Sequence, residues 1–94
     1  MLETFDIKKQ PIKDLVEWIG NQWNNTYGIW KVYKYGNHIK LEIHTGGWSQ
    51  NEELISEFER VKFIGMFWQK SEKGGHYYYS FPLLTYFKNL EFLK

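Results

Sequence analysis

Alternation of apolar and polar residues through Ile39, Leu41 and Ile43 stops at His44-Thr45-Gly46-Gly47-Trp48, and helical spacing takes over from Ser49. A chain that changes period across paired glycines must turn a strand end directly into a helix start. Such a turn leaves backbone N–H groups free at the helix N-terminus, a setting suited to an anion. Gly74-Gly75-His76-Tyr77-Tyr78 echoes the same residue types further along. The plainer reading of these glycines is that they permit positive φ in tight turns, with His44 closing a strand.

The rest of the chain falls into place around this switch. Pro11 followed by Ile12, Leu15, Val16, Ile19 and Trp23 predicts an amphipathic helix over Pro11–Trp23, and Asn24-Asn25-Thr26-Tyr27-Gly28 reads as a loop. Trp30 and Val32, then Ile39, Leu41 and Ile43, give the apolar halves of two strands turning at Gly36-Asn37. Ser49 and Glu52 have the spacing of a capping box, and Leu54, Ile55, Phe58 and Val61 mark a helix ending near Lys62. Ile64–Gln69 reads as a strand covered on both faces, Lys70–Gly75 as a turn, and His76–Phe81 as a strand closed by Pro82. Residues 82–94 read as a short C-terminal helix through Leu83, Phe87 and Leu90, or as an adhesive tail.

The predicted class is therefore α+β: a mostly antiparallel four-stranded sheet in α-β-β-α-β-β order, with two helices on one face. The halves look alike, helix, strand, Gly36-Asn37-His38, strand against helix, strand, Gly74-Gly75-His76, strand, which suggests an internal pseudo-repeat. The 94 residues 1–94 leave room for a single domain, one that buries ~65% of the surface its unfolded chain exposes.

Composition narrows the function classes. Lys and Arg number 12 against 11 acids, a net charge of +1 with no block of either sign, so electrostatic binding to duplex nucleic acid is not indicated. Binding of nucleic acid by exposed aromatics would need a basic groove beside them, and the balanced charge counts against one. With no cysteine, disulfides, thiolate catalysis and Cys-type zinc sites are excluded together. The start Met1-Leu2-Glu3-Thr4 is unlike a signal peptide and no apolar run approaches ~18 residues, so a soluble, cytoplasmic chain without a membrane partner is expected. Aromatics form 20% of the chain, more than a core this size easily buries, which predicts some in a groove or interface. Symmetric self-association through Trp30, Trp68 or the Phe87–Leu93 tail would absorb them, making a homo-oligomer the expected state.

The two-residue period of a strand places Lys40, Glu42 and His44 on the face opposite Ile39, Leu41 and Ile43, and His76, Tyr78 and Ser80 opposite Tyr77, Tyr79 and Phe81. If the polar faces coincide, His44 and His76 converge beside Gly46-Gly47. A ligand there could stack on Trp48 or Tyr78, set a phosphate on the amides of Gly47, Trp48 and Ser49, and meet Lys70 or Lys73. The predicted ligand-binding set is thus His44, Thr45, Gly46, Gly47, Trp48, Ser49, Lys73, Gly75, His76 and Tyr78, with no catalytic residue, metal or cofactor assigned. His38, His44, His76, Glu42, Glu52 and Glu53 include zinc donors, but no pair has the spacing of a helical histidine site. For hydrolysis, Ser49 or Thr45 can be paired with His44 or His76 and with Glu52 or Glu42. No nucleophile-elbow pattern surrounds Ser49, which the capping box already explains.

The strings His44-Thr45-Gly46-Gly47-Trp48-Ser49-Gln50-Asn51-Glu52 and Lys73-Gly74-Gly75-His76-Tyr77-Tyr78 resemble a widespread group of small bacteriophage and prophage proteins with no established activity. In that group an H-T-G-G-W-S-x-N-E string precedes a helix and an R-G-G-H-Y string follows it; the likeness covers about Ile39–Phe81. Lys73 stands where Arg is commoner, which keeps the charge and loses the bidentate fork. The resemblance implies a viral or prophage origin and action in the host cytoplasm. Small phage proteins often act by stoichiometric binding, so the expectation is a non-enzymatic, anti-defence binding protein that sequesters a nucleotide-like or phosphorylated small ligand. The alternatives are an inhibitor that binds a host defence protein, and a small hydrolase using His and Glu.

Overall fold

Pro11, extended at φ −62° and ψ 144°, forms the N-cap of α1 (Ile12–Gly20) in the computed structural model, which describes residues 5–88. Ile12, Leu15, Val16 and Ile19 are buried along one stripe, as their spacing requires. The helix stops at Gly20 and not at Trp23, yet Trp23 remains buried. A Cβ at Gly20 would stand 2.7 Å from the Trp30 indole, so the glycine lets that ring lie against the helix end, where its Nε1–H donates to the Val16 carbonyl at 3.1 Å. Trp30 also packs on Trp23 and, edge to face, on Phe58. It is therefore half-buried and packed against the core.

Strands β1 (Ile29–Tyr35) and β2 (His38–His44) form the expected hairpin about Gly36-Asn37. Strands β3 (Trp68–Glu72) and β4 (His76–Pro82) form a second, and the sheet order is β1-β2-β4-β3 with every pair antiparallel. Ile39, Leu41 and Ile43 of β2, with Tyr79 and Phe81 of β4, are buried beneath the helices. The central register runs from His38 opposite Pro82 to His44 opposite His76, with Leu41 opposite Tyr79 midway. A two-fold axis through that middle pair exchanges His38 with His76 and His44 with Pro82, and the strand order reads alike from either end. The resemblance between the halves thus has a geometric counterpart.

Helix α2 (Ser49–Glu59) buries Leu54, Ile55 and Phe58 over the same sheet face, and Phe58 meets Tyr79 edge to face. Removing a ring so enclosed costs about 3–5 kcal/mol. The capping box does not form. Trp48 is the N-cap and no side chain caps the helix, because Thr45 closes the turn from upstream: its hydroxyl accepts the Gly47 N–H and its carbonyl accepts the Trp48 N–H. Ser49 is left as the first helical residue.

The apolar run Ile64–Gln69 is not a strand covered on both faces. Phe63 adopts a left-handed conformation (φ 72°), and Ile64–Phe67 winds into a 3₁₀ turn that presses Ile64 fully into the core and leaves Met66 exposed. Strand β3 begins only at Trp68 and is exposed throughout, since the sheet order puts it on an edge. Lys70–Glu72 accordingly belong to the strand and the turn shortens to Lys73–Gly75. After Pro82, helix α3 (Leu83–Phe87) buries Thr85 and Tyr86, with the Leu83 N–H bound to the Asn37 carbonyl at 3.0 Å. Tyr86 takes the core position expected of Phe87, which is exposed; Leu90 lies outside the described residues. No helix among the described residues is long and apolar enough to cross a membrane.

Candidate functional site

Both main helices cover one face of the sheet, so the other is open, and its side chains fall in cross-strand rows. One row is Ile29, His44, His76 and Glu72; the next is Lys31, Glu42, Tyr78 and Lys70. His44 and His76 do converge. Their Nδ1 atoms are hydrogen-bonded to each other, the rings meet edge to face at 4.5 Å between centroids, and Glu42 Oε2 lies 2.7 Å from His44 Nε2.

The partners fix the proton positions. A carboxylate only accepts, so His44 Nε2 donates to Glu42 and the neutral ring's Nδ1 must accept from His76 Nδ1–H. His76 Nε2 is then the free end of a Glu42–His44–His76 relay. It lies beside Gly74 and has no hydrogen-bond partner among the described residues. Tyr78, in the adjacent row, donates to Glu72 at 3.0 Å; desolvation and then that carboxylate hold its phenol above the usual range, with Glu42 and Tyr33 adding to the effect.

Three segments meet behind the histidines. Thr45 is buried and its N–H donates to the Gly75 carbonyl at 3.0 Å. A Cβ on Gly75 would collide with the Thr45 hydroxyl, and one on Gly46 with the Tyr27 carbonyl; both residues have positive φ, 81° and 65°. Asn51, fully buried on α2, ties the assembly: Oδ1 accepts the Asn24 N–H at 2.9 Å, and Nδ2 donates to the carbonyls of Asn24 and Thr45 at 3.1 and 3.3 Å. In front, the Asn25–Ile29 loop, His44 and His76 line a cleft of about 460 Å³.

The remaining predicted residues are spread around this cleft. Trp48 stacks on Tyr27 at 4.8 Å and 14°, so the ring facing the cleft is Tyr27. Of the three amides expected to hold an anion, those of Gly47 and Trp48 are already bound to Thr45, and Ser49 stands exposed at the helix start. Lys73 is exposed in the β3–β4 turn, and Lys70 lies over the Tyr78 ring at 4.8 Å. Among the described residues no three His, Cys, Asp or Glu side chains are grouped to hold a metal ion. Sequence reasoning missed Tyr27 and Asn51. The Tyr27-Gly28 step before an alternating run hints at a tight approach, whereas nothing distinguishes a clamping asparagine from a solvated one. Compared with models of protein families, with curated proteins and with solved structures, the chain gives no match.

Proposed function

We propose that the chain is a non-enzymatic binding protein that holds a small phosphorylated, nucleotide-like ligand in the cleft beside His76. The observation that carries this reading is the unengaged Nε2 of His76 at the end of a relay anchored by Glu42. Protonated, that nitrogen offers a charge-assisted N–H to a phosphate oxygen, and the Glu42 carboxylate balances the added charge through His44. The exposed outer face of Tyr27, backed by Trp48, offers a base a stacking surface of the required size. Lys73 adds an exposed positive charge on the β3–β4 turn. A phage origin, with sequestration of a host signal as the biological use, rests on the resemblance of the two glycine strings.

Calorimetric titration with a nucleoside monophosphate, the matching nucleoside and inorganic phosphate tests it. The monophosphate should bind and the nucleoside should bind at least tenfold more weakly. His76→Ala should abolish monophosphate binding while the melting temperature holds. Equal affinity for nucleoside and monophosphate, or full binding by His76→Ala, defeats the reading.

The relay also favours a second reading, a hydrolase in which His76 Nε2 acts as general base on a water. Neither candidate nucleophile stands ready: the Thr45 hydroxyl is buried against Gly47 and Gly75, and Ser49 neither caps the helix nor meets a histidine among the described residues. Turnover of a phosphate ester that disappears in His76→Ala would establish this reading over the first.

A further inference from the structure

The charge count of the whole chain conceals how its lysines are distributed on the open face of the sheet. Three tyrosines and three lysines project there, and each ammonium lies over a ring: Lys31 over Tyr33 at 5.4 Å, Lys40 over Tyr35 at 5.9 Å, and Lys70 over Tyr78 at 4.8 Å. The acids of the same face are otherwise engaged, Glu42 with His44 and Glu72 with the Tyr78 hydroxyl. Among the described residues none of the three lysines pairs with a carboxylate. With three lysines against the carboxylates of Glu42 and Glu72 the face has a slight positive excess, and its ammonium groups are not tied into ion pairs with those acids.

We propose that this open face binds single-stranded nucleic acid, with bases on the tyrosine rings and backbone phosphates on Lys31, Lys40 and Lys70. This goes beyond the cleft ligand and does not depend on it. Flat rings flanked by unpaired cations are the two elements that sequence-tolerant single-strand binding needs, and a four-stranded sheet can stack two or three bases on its aromatics. Tyr35 is 69% exposed and Tyr33 39%, so these rings are presented outward. Ser80 and His38 supply polar groups between them for base edges. A protein partner fits the face less well, because Lys40 and Glu42 stand on its central strand β2, where protein interfaces are depleted of charge and enriched in large apolar anchors. Duplex fits less well too, since its bases are already stacked and the tyrosines would have nothing to receive.

Fluorescence anisotropy with labelled oligo-U and oligo-dT of about twelve nucleotides, and with a duplex of equal length, is the test. The intact chain should bind both single strands in a salt-dependent manner and the duplex at least tenfold more weakly. Tyr35→Ala combined with Tyr78→Ala should weaken single-strand binding tenfold or more, the scale of one or two lost stacking contacts. Lys31→Gln, Lys40→Gln and Lys70→Gln together should reduce the slope of log affinity against log salt by about 2. The lysine variants alter exposed charges only, so they remain informative if a tyrosine variant melts early. His76→Ala should keep single-strand affinity within a few-fold, which separates this surface from the cleft. The proposal is overturned by no binding of either strand up to about 100 µM, by equal duplex binding, by indifference to both sets of variants, or by a purified protein partner that competes for the same tyrosines.

Discussion

His44 and His76 face each other across the β2–β4 ladder and share one proton between their Nδ1 atoms, while Glu42 holds the far side of His44. The arrangement dictates opposite tautomers for two neighbouring rings. Long-range ¹⁵N–¹H NMR should find His44 protonated on Nε2 and His76 on Nδ1. In Glu42→Gln the amide can donate as well as accept, so His44 should lose its single tautomer and His76 with it. Matching tautomers in the intact chain would contradict the relay.

Glycine positions separate two causes of the same preference. Gly46 and Gly47 both have positive φ, 65° and 73°, but only Gly46 has a neighbour, the Tyr27 carbonyl, where a Cβ would go. Gly47→Ala should cost about 1 kcal/mol, the left-handed penalty alone. Gly46→Ala must also push away the Tyr27 backbone of the loop that lines the cleft and should cost about 3 kcal/mol or more. Urea unfolding of the two variants gives the comparison, and equal losses would mean that the Tyr27 carbonyl does not press on Gly46.

Asn51 makes three hydrogen bonds from a fully buried position, two of them to the backbone of the loop that lines the cleft. Asn51→Ala leaves buried backbone groups without partners, and a loss of about 2–4 kcal/mol is expected. Asn51→Asp keeps the acceptor and removes both donated bonds, so it should be no milder. Because Asn24 and Thr45 flank the cleft, hydrogen exchange of the Asn24 and Gly28 amides should accelerate before the rest of the domain. A change under about 0.5 kcal/mol would show that the clamp contributes little.

Local periodicity made the elements legible, and the failures share a cause. The faces of β2 and β4 follow from their own alternation, so the convergence of His44 with His76 needed only the pairing of those two strands. Ser49 and Glu52 carry a valid capping signal, but Thr45, a tertiary neighbour of Gly75, takes over the turn. The Ile64–Gln69 run has the composition of a central strand, yet its strand lies on the edge and the apolar residues are satisfied by a turn into the core. Asn51 looks like any polar helix residue. The lysines of the open face are invisible in a whole-chain charge count because only the strand pairing brings Lys31, Lys40 and Lys70 to one face beside Tyr33, Tyr35 and Tyr78.

Alkaline stability should report the buried phenols. Burial first, then the Glu17 carboxylate, pushes Tyr86 up to about 12, and burial followed by Glu59 raises Tyr79 further. In the unfolded chain both ionise near their ordinary value of 10. Between pH 10 and 12 the unfolded state has therefore released protons that the folded state still holds, so rising pH favours unfolding. Stability against urea should be insensitive to these groups below about pH 9 and fall steeply above 10. The Tyr86 hydroxyl has no hydrogen bond among the described residues, so Tyr86→Phe should leave the value at pH 7 nearly unchanged and make the alkaline decline shallower. Tyr79→Phe forfeits a 3.4 Å bond to Glu59 and should start lower by about 1 kcal/mol before showing the same flattening. Parallel alkaline declines in the intact chain and both variants would mean that neither phenol stays protonated in the folded state, and that the ring positions beneath α1 and α2 admit water.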